Sequence, residues 1–137
     1  MVDDKTLQRM KEIARMVKEK AYVPYSHFSL GAALLTAGNN IYGGCNIENA
    51  SYGLTICAER AAIFKAITAG ERDFLALLLL SDMEEPVTPC GACRQVLAEF
   101  DPEGNMKIIL CSQGEKEIQL SLEELFPLSF NKGDLHK

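Results

Sequence analysis

The chain has 137 residues, 47% of them hydrophobic and 24% charged, with a formal net charge of -5. This is the composition of one globular domain spanning residues 1–137, long enough to bury roughly two thirds of its unfolded surface. The acidic balance, with no Lys/Arg run, argues against phosphate-driven nucleic-acid binding, which needs a basic face. No apolar stretch reaches transmembrane length, and the first twenty residues carry alternating charges unlike a signal peptide or anchor, so no membrane partner is expected. Five cysteines, an odd number, speak against a full disulfide framework and for a reducing, cytoplasmic setting.

In chain order, Asp3 to Lys20 reads as a helix, with Leu7, Met10, Ala14, Val17 and Ala21 at helical spacing and Pro24 beyond its end. Phe28 to Thr36 and Ile41 to Ile47 are apolar segments separated by Ala37-Gly38-Asn39-Asn40, residues tolerant of positive φ, and predict a β-hairpin. Ile56 to Ala69 is alanine-rich and helical, with Gly70 placed to terminate it. The continuous apolar run Leu75 to Leu80 suits a central strand buried on both faces. Thr88 is the expected cap of a helix with Pro89 at its first position, running through Phe100. Met106 to Cys111 and Glu117 to Leu120 predict two more strands, and Ser121-Leu122-Glu123-Glu124 fits a capping box for a short last helix. The order α-β-β-α-β-α-β-β-α predicts a mixed, roughly five-stranded sheet with helices on both faces, a three-layer α/β/α fold.

Two clusters carry the chemistry: Cys57-Ala58-Glu59 and Pro89-Cys90-Gly91-Ala92-Cys93. Three thiolates make a zinc site one ligand short of the closed, four-ligand structural kind, which leaves a position for water. A carboxylate two residues after the first ligand is placed to move that water's protons. The pattern is that of zinc nucleobase deaminases in their all-cysteine form. Both clusters are expected at helix N-termini, where free N–H groups and the dipole favour thiolates, and Cys90-x-x-Cys93 puts two sulfurs on one turn. One zinc ion per chain, held by Cys57, Cys90 and Cys93, is the expectation.

Three thiolates around Zn²⁺ leave a net charge of -1. Arg60, three residues after Cys57, and Arg94, directly after Cys93, are candidates to donate hydrogen bonds to the sulfurs and offset it. The competing reading of each arginine is a solvated helix residue, and that of Glu59 is an acid complementing the helix dipole. Cys45 and Cys111, in strand-like segments, read as apolar thiols, although either as a fourth ligand would turn the site into a structural clasp.

At these residues the chain resembles the small, all-cysteine cytidine deaminases. The resemblance runs through Tyr25-Ser26-His27-Phe28-Ser29-Leu30-Gly31-Ala32-Ala33-Leu34, Asn46-Ile47-Glu48-Asn49-Ala50-Ser51-Tyr52-Gly53, both zinc clusters, and Leu125-Phe126-Pro127-Leu128-Ser129-Phe130. It implies hydrolytic conversion of cytidine and 2′-deoxycytidine to uridine and 2′-deoxyuridine, with zinc-bound water attacking C4 and Glu59 shuttling protons. It further implies that Asn46 and Glu48 bind the sugar 3′-hydroxyl and that Phe28 packs near the nucleoside. Backbone groups around Ala58 would help hold the pyrimidine, and Phe130 would close a neighbouring subunit's site in a homotetramer. From the residues alone, Asn46 and Glu48 share a strand face and can grip one hydroxyl together; polar residues at a strand end compete with that reading, as ordinary core packing does for Phe28.

Two rivals stand beside this. One is a deaminase for an aminoacylated cytosine antibiotic or a polynucleotide; the Asn46-x-Glu48 element, Cys57 in place of histidine and the acidic charge disfavour it. The other is a non-catalytic zinc module with a closed coordination shell, in which Glu59 would have no role.

Overall fold

The computed structural model describes residues 2–135. Helix α1 (Asp4–Lys18) begins at Asp3, whose side chain accepts the Thr6 N–H at 2.7 Å. Strands β1 (Leu30–Thr36) and β2 (Ile41–Cys45) form the expected hairpin, with Asn39 at φ +63° in its turn. A single 3-10 turn (Tyr52–Leu54) and helix α2 (Ala58–Thr68) follow, and α2 ends as expected on Gly70, at φ +98°. Then come β3 (Phe74–Ser81), α3 (Gly91–Phe100), β4 (Lys107–Cys111), β5 (Glu117–Ser121) and α4 (Leu122–Leu125). Ser121 and Glu124 make the reciprocal capping box. A final turn, α5 (Lys132–Leu135), was not expected.

The five strands lie in the order β2-β1-β3-β4-β5. Side chains alternate across this sheet with period two, so each central strand feeds two cores. Ala32, Leu34, Leu77, Leu79, Ile108 and Leu110 face α2 and α3. Ala33, Leu35, Ala76, Leu78 and Ile109 face the other side, where Met10 and Ala14 of α1 cover them. Each fully buried leucine contributes on the order of 1.5–3 kcal/mol of transfer free energy. The three-layer α/β/α architecture with mixed strand directions is therefore the observed one. No helix among the described residues is long and apolar enough to cross a membrane.

Strand direction places the site. β1 is antiparallel to both β2 and β3, so β2 and β3 run the same way, and β4 is parallel to β3. The chain thus leaves β2 and β3 at one edge of the sheet, and the N-termini of α2 and α3 follow from that edge. Crevices beyond the carboxyl ends of such strands are the usual ligand positions in open α/β sheets.

One expectation is corrected. The cap of α3 is Cys90, not Thr88, and Pro89 precedes the helix. The Arg94 N–H closes the first turn on the Cys90 carbonyl at 3.0 Å, and Cys90 itself is extended, at φ −69° and ψ 170°, so the helix cannot run back through it to Thr88.

Gly44 sets how low α2 sits on the sheet. A Cβ there would lie 2.4 Å from the Ala62 nitrogen and 2.6 Å from the Ala58 oxygen, both backbone atoms that cannot rotate away. Gly44→Ala should therefore cost about 1–3 kcal/mol or more in denaturant unfolding and displace the N-terminus of α2. Gly53→Ala, where nothing lies within 4 Å, should stay within about 0.5 kcal/mol of wild type. Equal stability of the two variants would contradict this account of the α2–β2 contact.

Candidate active site

Cys57 is the N-cap of α2 and Cys90 the N-cap of α3, and neither side chain caps its own helix. Their sulfurs are thus free to face each other, and the first-turn N–H groups of both helices stabilise negative charge between them. Cys57 Sγ lies 3.8 Å from Cys90 Sγ, and Cys90 Sγ lies 3.4 Å from Cys93 Sγ. All three sulfurs fall within 4.8 Å of one another, the one metal-competent group of three or more such ligands among the described residues. A tetrahedral zinc ion with bonds of about 2.3 Å holds its sulfurs roughly 3.8 Å apart, so the spacing fits one ion. Cys93 is buried, Cys57 half-buried and Cys90 exposed.

Charge around the sulfurs is already managed by the chain. The Cys57 thiol is held down to about 5, first by the Cys93 thiol directed at it and then by Arg60 and Cys90, against the opposing effect of burial. Cys93 is pushed upward in return by the same contact with Cys57. Arg60 Nη2 lies 3.4 Å from Cys57 Sγ and 3.4 Å from the Thr55 carbonyl, so Arg60 meets the sulfur as its place in sequence suggested.

Arg94 does not follow that pattern. Its Nε donates to the Pro89 carbonyl at 2.8 Å and its Nη1 to the Leu125 carbonyl at 2.6 Å. Arg60 stands three residues after Cys57 and Arg94 directly after Cys93; Arg94 also sits beside the C-terminal segment, a neighbour that local sequence does not reveal.

Glu59, in the first turn of α2, is 3% exposed. Burial pushes its carboxyl up to about 7, with the Cys57 charge adding to the effect. Its Oε1 is buried with no hydrogen-bond partner. An orphaned carboxylate oxygen beside three sulfurs is the feature a metal-and-water site requires and a closed clasp does not. Cys45 and Cys111 lie in β2 and β4; Cys111 is buried, and that burial pushes its thiol up to about 11.

A cleft of about 670 Å³ opens over the sulfurs, and Cys57, Cys90, Arg60, Glu48, Ser26 and Tyr52 are among its walls. Glu48 Oε1 accepts the Tyr25 and Ser26 N–H groups at 3.0 and 3.2 Å, and its Oε2 accepts the Ser26 hydroxyl. These bonds, the Ser26 hydroxyl foremost, hold its carboxyl below the usual range. They use three of about four acceptor positions on the carboxylate and leave one. Asn46 is buried, donating to the Phe28 carbonyl at 2.8 Å and accepting from the Leu30 N–H at 2.9 Å. The Phe28 N–H in turn bonds the Ser26 oxygen at 3.0 Å. Asn46 and Glu48 therefore stitch the Tyr25–Leu30 segment to the end of β2; Tyr25 and Ser26 of that segment line the cleft, and half-buried Phe28 is not among its walls. Ala58 is fully buried, and Phe130 stands on the C-terminal segment, 60% exposed. Ser26, Tyr25 and Tyr52 were not singled out as site residues from sequence, because a serine or tyrosine in a loop carries no spacing signal.

Residues 4–109 match the family model described as the cytidine and deoxycytidylate deaminase zinc-binding region. The chain is 50% identical over 123 residues to a cytidine deaminase of Sporosarcina psychrophila, covering 89% of each. It is 46% identical over 129 residues to the cytidine deaminase of Halalkalibacterium halodurans, covering 94% of this chain and 97% of that one. The crystal structure of cytidine deaminase from Burkholderia pseudomallei matches with a TM-score of 0.85 at 42% identity, covering 90% of this chain and 98% of that one. Together with the three-sulfur cluster and its buried glutamate, these likenesses show that the chain belongs to the zinc-binding cytidine and deoxycytidylate deaminase family.

Proposed function

We propose that the protein deaminates cytidine and 2′-deoxycytidine hydrolytically, giving uridine and 2′-deoxyuridine with release of ammonia. The observation that carries this reading is the unpartnered Oε1 of buried Glu59 beside three converging sulfurs. Cys57, Cys90 and Cys93 would hold the zinc ion, which when bound would supply the Lewis acidity that lowers the pKa of a water to near neutrality. Glu59 removes a proton from the attacking water and delivers it to ring N3 as the oxygen bonds C4. It then takes the proton of the new C4 hydroxyl and carries it to the exocyclic nitrogen, the C4–N bond breaks, and ammonia leaves a C4 carbonyl. A carboxyl pushed up to about 7 suits a group that accepts and returns protons near neutrality. Arg60 draws charge from the Cys57 sulfur, which keeps the site electrophilic despite three thiolates.

The remaining roles are read from the resemblance together with the cleft. The free acceptor position on Glu48, helped by Asn46, takes the sugar 3′-hydroxyl; Phe28 packs beside the nucleoside, and backbone at Ala58 holds the pyrimidine. Phe130, exposed on its own subunit, covers a neighbour's cleft in a homotetramer. Tyr52, 89% exposed, and Leu128, 102% exposed, are apolar surface of the kind that a second copy would cover. All five cysteines are free, which suits a cytoplasmic enzyme.

Incubation with cytidine should remove the cytosine absorbance, whereas a non-catalytic zinc module would leave it unchanged. Glu59→Gln should keep zinc and fold while lowering turnover by about 10²–10⁴-fold or more, because an amide cannot accept the proton; near-normal activity would remove Glu59 from the mechanism.

Metal analysis should find one zinc per chain, lost on replacing Cys57, Cys90 or Cys93 and retained in Cys45→Ala and Cys111→Ala. Loss in either of the last two would favour a four-cysteine clasp. Sedimentation should give about four chains per particle, and a fully active monomer would sink the role given to Phe130.

A further inference from the structure

Cys90 is the most exposed of the three sulfur ligands, so its side chain has fewer packed neighbours to hold it than that of buried Cys93. The residue before it, Pro89, is buried, but its carbonyl lies outside α3 and has no helical N–H to accept. Arg94 fills that need through Nε at 2.8 Å. The same guanidinium reaches the Leu125 carbonyl through Nη1 at 2.6 Å. The next residue, Gln95, donates Nε2 to the Phe130 carbonyl at 2.7 Å. Two adjacent residues of α3 therefore grip both ends of the 125–130 segment. Phe126 leans on the core, but Leu128 and Phe130 are exposed, which leaves the far end of the segment to polar contacts.

We propose that Arg94 and Gln95 are positioning residues that make the C-terminal segment a structural support of the metal site. A guanidinium presents its N–H donors in one rigid plane, so the Pro89 and Leu125 carbonyls are held in a set relation to each other. Fixing Pro89 fixes the direction in which Cys90 leaves the loop and keeps its sulfur in the triangle. The coupling is reciprocal: an ion that orders Cys90 must also tighten residues 125–130, and loosening those residues must weaken the ion's hold. The inference rests on Cys90 being a metal ligand, and it gives Arg94 a role that contact with sulfur would not.

The test uses the full-length, zinc-loaded protein. Zinc release into a chromogenic chelator should accelerate about 10–100-fold in Arg94→Ala, the usual range for loss of a residue supporting a ligand. Arg94→Lys, which has charge but no fork, should recover only part of that. Hydrogen exchange over residues 126–131 should rise in Arg94→Ala and Gln95→Ala, and also in wild type once its zinc is stripped. That last arm needs no variant to fold. Zinc release from Arg94→Ala at the wild-type rate, or segment exchange in wild type indifferent to zinc, would overturn the inference. Wild-type protein lacking zinc altogether would sink the metal site as well, and metal analysis separates that case.

Discussion

Three cysteine sulfurs within 4.8 Å of one another form an arrangement that their own charges oppose, and much of the molecule is disposed to make it tolerable. Each thiolate brought into the cluster raises the cost of the next. Two helix N-termini meet the cluster with unoccupied first-turn N–H groups, because the two cap positions are the cysteines themselves. Arg60 adds a full positive charge 3.4 Å from Cys57 Sγ. A divalent ion held there would leave a single negative charge on the three thiolates, where Arg60 can share it.

The helices reach those positions because of decisions made in the sheet. Antiparallel pairing of β1 with both neighbours sends β2 and β3 out at the same edge, which brings distant cysteines together without a long search by either loop. Gly44 then removes the one side chain that would hold α2 away from β2. Beyond the cysteines, Asn46 and Glu48 use most of their hydrogen bonds on the Tyr25–Leu30 segment, so the residues proposed to bind sugar also shape the wall that faces it.

The metal cluster was legible in sequence because ligand spacing on a helix turn and a nearby acid are local patterns. The hairpin, the Gly70 terminus and the Ser121–Glu124 capping box were legible for the same reason. What was not legible depends on partners far along the chain. Thr88 has every local mark of a cap, yet Cys90 is extended and itself caps a helix that begins at Gly91. Arg60 and Arg94 each come soon after a ligand cysteine, three residues after Cys57 and one after Cys93, but only the fold places Leu125 within reach of Arg94. Ser26 gave no signal because its importance lies in Glu48, twenty-two residues away.

The central claim is an open, three-sulfur zinc centre with room for water beside Glu59. Zinc K-edge X-ray absorption on the loaded protein addresses it without reference to activity. The account predicts three sulfurs at about 2.3 Å and one oxygen at about 2.0 Å in the first coordination sphere. A shell of four sulfurs would contradict it, since no position would then remain for the water that Glu59 is placed to deprotonate.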